Sequence, residues 1–131
     1  MTWSNTTTPY EEIGGEETIE KLVQNFYPKV YADPILRPLF QDDITIIMKK
    51  QKMFLTQFLG GPPLYSQVYG PPAMRERHLP FTITPARAQA WLRCMRAAMD
   101  EIDLKGPIRD VFYERLTHVA SIMVNSSDTN Q

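Results

Sequence analysis

The chain has 131 residues, 43% of them hydrophobic, with 14 Lys and Arg against 15 Asp and Glu for a net charge of −1. That length suits one domain with a sizeable core, and the near-neutral charge argues against a nucleic-acid binder, which would show a basic excess. A single cysteine, Cys94, excludes an internal disulfide and a thiolate metal cluster, and with only two histidines, His78 and His118, a conventional zinc site is not expected.

Nowhere does an apolar run approach a membrane span. The start, MTWSNTTTPYEE, has neither the basic region nor the apolar stretch of a signal peptide, so a cytoplasmic protein is expected. Polar tails over 1–8 and about 125–131 are expected to fray. Between them the pattern is helical. After Gly14-Gly15, apolar residues Ile19, Leu22, Val23, Phe26, Tyr27 and Val30 recur at helical spacing and predict a helix from about Glu16 to Ala32. Pro28 lies inside it, removes a backbone donor and should kink it. Asp33-Pro34 then opens a short turn through Leu36 that ends near Pro38, Leu39 and Phe40.

The next helix is predicted from Asp42 or Asp43 to Leu59, with Ile44, Ile47, Met48, Gln51, Phe54, Leu55 and Phe58 on its inward stripe. Gln51 is the polar exception on that stripe. Lys49, Lys50 and Lys52 fall on other faces and read as a solvated surface. Residues 60–72, GGPPLYSQVYGPP, are too rich in proline and glycine for regular structure and read as a long ordered loop that Leu64, Tyr65 and Tyr69 can pack. A short helical turn over Met74–Leu79 carries His78. Thr84-Pro85 caps a helix to about Ile102, with Ala88, Trp91, Leu92, Met95 and Met99 inward, and Gly106-Pro107 opens the last helix, to about Val124, with Ile108, Val111, Phe112, Leu116, Val119 and Met123 inward. No segment alternates as a strand. The fold class is all-α.

Five residues call for a chemical reading. His78 follows Arg75 and Arg77 and precedes a helix-stopping proline; a histidine in that place is more often a cap or hydrogen-bonding residue than a ligand. His118, flanking the apolar stripe of the last helix, reads as structural or exposed. Tyr27, Gln51 and Trp91 bring a hydroxyl, an amide and an indole N–H to three inward helical faces, and buried polar groups need partners. They either satisfy one another or converge on a small polar ligand in an apolar cavity.

Taken in order and spacing, NFYPKV, LRPLF, QKMFLTQFLGGPPLYS, RERHLPF and AWLRCM are specific, and from about Tyr10 to Val124 the chain resembles the group II truncated haemoglobins. The resemblance implies a shortened globin, a two-over-two helical sandwich around haem b. It makes His78 the proximal iron ligand and Tyr27, Gln51 and Trp91 the distal hydrogen-bonding set, with Phe40 against the ring. Arg75 and Arg77 would pair with the haem propionates, helped by Lys50 and Tyr65, and Phe54, Leu64, Met74, Phe81 and Met95 would line the haem. Ile47 takes the gate position one turn before Gln51, where an ordinary globin has its distal histidine. Cys94 reads as a buried core thiol and not as a haem ligand. The implied partners are dioxygen and other diatomic ligands, held with high affinity and released slowly, and a reductase; monomer and homodimer are both open. Nitric oxide dioxygenase or peroxidase chemistry is the enzymatic alternative. A haem-free helical signalling module is the third, and the retained His78 argues against it.

Overall fold

The computed structural model describes residues 8–40 and 43–127, and among them every regular element is a helix. Helix α1 spans Pro9–Glu12, α2 Gly15–Ala32, α3 Ile44–Phe58, α4 Leu64–Tyr69, α5 Met74–His78, α6 Pro85–Glu101 and α7 Pro107–Met123, with one 3-10 turn over Arg37–Leu39. Helix α2 lies against α3 and α6, and α6 against α7, which gives the all-α, two-over-two arrangement. The buried side chains of α2 are Ile19, Leu22, Val23, Phe26, Tyr27 and Val30, the stripe read from the sequence, and the helix continues through Pro28. Of the two caps considered for α3, Asp43 is the one in place: its carboxylate accepts from Thr45 N at 2.7 Å. Asp42 lies outside the described residues. Thr84 caps α6 through Arg87 N, as its position before Pro85 predicts.

Several expectations need correction. Thr8 and Glu11 form a reciprocal capping box that starts α1, a helix absent from the sequence reading. The stretch 60–72 contains helix α4, because its prolines and glycines cluster at the two ends and leave LYSQVY free of them. Both ends of the Gln57 amide clamp Ser66, donating to Oγ at 2.8 Å and accepting from the backbone N at 2.9 Å, so α4 is tied to α3. On α6 the fully buried residues are Ala90, Cys94, Met95, Ala98 and Met99, while Ala88, Trp91 and Leu92 are only partly buried. The helix is flanked by both α2 and α7, and a stripe drawn through large residues misses the small ones that let helices approach. On α7 the buried row is Ile108, Phe112, Leu116 and Ala120, and Val111 stays 47% exposed. That narrow row, one residue every four, suits a helix packed on one side.

Nor does the C-terminal segment fray where the sequence suggested. Asn125 N and Ser126 N donate to Ile83 O at 2.9 and 3.1 Å. Lys52, read as solvated, bridges α3 to α2 by reaching Glu20 at 2.6 Å and Glu16 at 3.2 Å. These hydrogen bonds raise its pKa, so the contribution is fully present at neutral pH and is lost only as alkali deprotonates the amine.

The end of α3 is sealed by α1. Tyr10 N donates to Leu59 O at 2.8 Å, and the Tyr10 ring lies over Gly61. A Cβ at Gly61 would stand 2.9 Å from the Thr56 carbonyl oxygen and 2.9 Å from Tyr10 Cγ, one of them backbone that cannot yield cheaply. Gly61→Ala is therefore expected to destabilise the protein by about 1–3 kcal/mol through overpacking, read as a lower urea midpoint with an unchanged slope. A wild-type midpoint would show that α1 does not press on this glycine.

Candidate functional site

Helix α5 ends on His78, where Leu79-Pro80 stops it. The ring Nδ1 of His78 lies 2.6 Å from Met74 O, one turn earlier. A carbonyl oxygen only accepts, so Nδ1 carries a proton and donates, and in the neutral ring the lone pair is left on Nε2. That arrangement is the usual one for a metal-binding imidazole, whose second nitrogen donates to a fixed acceptor.

His78 faces a cavity of about 520 Å³, within the range of cofactor sites. Helices α2 and α3 contribute Tyr27, Ile47, Lys50, Gln51 and Phe54 to its wall; α4 and α5 contribute Tyr65, Met74, Arg77 and His78. Leu39, Phe40, Phe81 and Ile83 complete it. Trp91 lies on a second, smaller cavity of about 70 Å³ that shares Leu39, Phe40, His78 and Ile83 with the first. The fully buried Phe26 ring links the distal aromatics. It meets Tyr27 edge-on at 4.7 Å and Trp91 at 5.0 Å, while Phe40 meets Tyr27 at 6.2 Å.

The polar tips of Tyr27, Gln51 and Trp91 do not satisfy one another: none of the three side chains hydrogen bonds to another described residue. Among the described residues no fully occluded side-chain nitrogen or oxygen lacks a partner, so these tips open onto free space. Burial, with a smaller contribution from nearby Tyr31, pushes the Tyr27 phenol well above its ordinary pKa. The hydroxyl stays protonated and able to donate.

Not every expected residue reaches the cavity. Arg75 Nη1 donates to Ile122 O at 2.6 Å and Val124 O at 3.2 Å, so its guanidinium is engaged at the end of α7, and it lines neither cavity. Leu64 sits on the outer side of α4 at 36% exposure, and Met95 is wholly buried in the α6 core; neither lines either cavity. Arg77 stays at the rim, anchored on Tyr69 O at 2.7 Å and Pro71 O at 2.9 Å and lying over the Tyr65 ring. Lys50 is also there, 5.2 Å from the centre of the Tyr69 ring. Leu39 and Ile83 were missed as wall residues. Ile83 had a readable signal: it precedes the Thr84 cap and, with Ala88 at the fourth helical position, lines the smaller cavity, the spacing of a hydrophobic staple.

A lone imidazole with a free Nε2, apolar walls and two cations at the rim form a donor set that fits haem, whose iron takes one strong protein ligand and whose carboxylates seek cations. The bacterial-like globin family matches residues 8–125 of this sequence. This chain belongs to that family, among the group II truncated haemoglobins. It is 52% identical over 120 residues to the group 2 truncated haemoglobin of Bacillus subtilis, covering 92% of this chain and 90% of that one. The globin superposes on the crystal structure of the group II truncated haemoglobin from Bacillus anthracis with a TM-score of 0.93 at 52% identity, over 95% of this chain and 96% of that one. A truncated oxygen-avid haemoglobin from Bacillus subtilis matches with a TM-score of 0.88 at 52% identity, over 91% of this chain and 100% of that one. Membership implies haem as cofactor and small diatomic molecules as ligands.

Cys94 of this globin is buried on α6 and lines neither cavity. Burial, reinforced by Asp33, pushes its thiol pKa up, so the thiol stays protonated at neutral pH and is a poor nucleophile. Native protein is expected to react with an aromatic disulfide reagent far more slowly than urea-unfolded protein at pH 8. Equal rates would place Cys94 at the surface.

Proposed function

We propose that this globin holds haem b in the larger cavity with His78 Nε2 as the iron ligand, and binds dioxygen and other diatomic ligands beneath Tyr27, Gln51 and Trp91. The observation that carries the proposal is the hydrogen bond from His78 Nδ1 to Met74 O, which commits the other nitrogen to the cavity. Haem, held there by His78, would supply an iron able to take a diatomic ligand and give it partial negative charge. The chain supplies the rest.

Tyr27, kept neutral by burial, and Trp91, a donor in any state, offer hydrogens to that partial negative charge. Gln51 donates to the ligand or accepts from Tyr27. Each charge-assisted hydrogen bond contributes about 1.5–3 kcal/mol, roughly ten- to more than a hundredfold in dissociation. Two or three donors give high affinity and slow release, in line with the oxygen-avid character of the solved Bacillus subtilis relative. Such affinity suits sequestration, sensing or redox chemistry better than delivery. Arg77 and Lys50 at the rim are the cations for the haem carboxylates. Ile47, one turn before Gln51, controls entry by size alone. Oxidative turnover draws less support, since no carboxylate and no second histidine line the cavity among the described residues. A cytoplasmic setting and a reductase that keeps the iron ferrous complete the reading.

Two substitutions test it. His78→Ala is expected to abolish the ferrous five-coordinate haem spectrum, and an unchanged spectrum would remove His78 from the iron. Tyr27→Phe is expected to speed oxygen release in stopped-flow by roughly tenfold or more; a wild-type rate for this variant and for Trp91→Phe would leave the distal donors without a role.

A further inference from the structure

The imidazole of His78 sits on a helix too short to hold it. Helix α5 has five residues, and its N-cap, Ala73, is a left-handed residue with φ 39° and no side-chain cap. Isolated helices of this length do not persist in water, yet a metal-binding ring must be held within roughly half an ångström. Outside contacts therefore fix it. Arg77 ties the segment backward to α4 and the loop after it. Forward, Arg87 Nη1 of α6 donates to Thr82 O at 2.7 Å, and the remaining side-chain ties come from the end of α7 and the residues that follow it.

Asn125 is the centre of that forward tie. Its amide nitrogen donates to Phe81 O at 2.9 Å and to His78 O at 3.3 Å. The amide oxygen of the same side chain accepts from Ile83 N at 3.0 Å. Its backbone N and that of Ser126 donate to Ile83 O, so both polar backbone atoms of Ile83 are taken by residues 125 and 126. Arg75 completes the tie by donating to Ile122 O and Val124 O, carbonyls that the end of a helix leaves unpaired. The segment 75–83 is thus fastened to α7 before, at and after the imidazole. Only an amide both donates and accepts in this way. A carboxylate at 125 would keep the Ile83 bond and face the Phe81 and His78 carbonyls with a second acceptor, and an alkyl group would keep neither.

We propose that Asn125, together with Arg75, is a positioning residue that sets how far and at what tilt the His78 imidazole projects into the cavity, and through it the strength of the iron–imidazole bond. The proposal rests on the haem reading above. The test compares Asn125→Asp, Asn125→Leu and Arg75→Met with wild type and with a control on the outer face of α7, Ser121→Ala, all loaded with haem. Resonance Raman of the ferrous, ligand-free protein is expected to show the iron–histidine stretch shifted or broadened in the three variants and unmoved in the control. The ferric/ferrous potential should move with it. In the haem-free chain, exchange of the Ile83 amide is expected to quicken by about fivefold in Asn125→Leu.

Quickened Ile83 exchange or a lower melting temperature with wild-type stretch and potential would reduce the tie to a structural fastening and overturn the proposal. Should Asn125→Leu fail to fold, Asn125→Asp and Arg75→Met still decide the matter. Failure of the underlying reading looks different: the wild type itself would lack an iron–histidine band, or His78→Ala would keep it.

Discussion

A single carbonyl decides what the cavity can be. Met74 O accepts the His78 Nδ1 proton, and that hydrogen bond does two things together: it fixes the ring about its Cβ–Cγ bond and it reserves Nε2 for the interior. Without it the imidazole would be free to turn and to present either nitrogen. The carbonyl belongs to the first residue of α5 and the ring to the last, so the bond spans the whole helix. The element has too few backbone hydrogen bonds to persist alone, and the bonds of Arg75 and Arg77 to neighbouring carbonyls hold it in place.

The two sides of the cavity are built on different physical terms. The Tyr27–Gln51 side rests on two long helices, α2, anchored in the core by its buried stripe, and α3, buried at Phe54, Leu55 and Thr56. There the orientation of the donors comes from packing: Phe26, fully buried, stands edge-on to both Tyr27 and Trp91 and holds two rings from two different helices. Contact with an aromatic edge is stiff and apolar, and it leaves the hydroxyl and indole N–H uncommitted. The His78 side is held by hydrogen bonds from Arg75, Arg77 and Asn125 to backbone carbonyls. A wall that must present unpaired donors is best fixed by carbon, and one built from a short irregular segment is best fixed through its carbonyls.

Periodicity exposed the helices with long stripes. The buried stripe of helix α2 was legible in full, and its start to within one residue, because six apolar positions at helical spacing outweigh one proline. So were the starts of α6 and α7, where proline follows a cap or a glycine. Helix α4 was not legible, since the signal that hides it, flanking Gly and Pro, is the same one that correctly marks a loop; only the Gln57 clamp, a tertiary contact, distinguishes the two. Of the site, the lone His78 and the polar interruption at Gln51 could be singled out from the chain. That Tyr27, Gln51 and Trp91 leave their polar tips open, without bonding one another, could not, since spacing along a helix does not say where a tip ends. Arg75 shows the same limit from the other side. A cation beside His78 suits a carboxylate, and nothing local reveals that it meets the carbonyls at the end of α7.

The unsatisfied tips carry an energetic consequence of their own. Polar tips at a largely apolar wall are more costly there than phenyl or alkyl groups, and Tyr27, Gln51 and Trp91 keep theirs uncommitted to other described side chains. A sequence under no constraint but stability would place Phe at 27 and Leu at 51, and both would suit the stripes on which they lie. On the proposed function, those groups favour a bound molecule that carries partial negative charge over an apolar one of the same size. Ile47 fits the same logic. A polar side chain at that wall position can hydrogen-bond Gln51, whereas an isoleucine one turn away leaves the amide uncommitted.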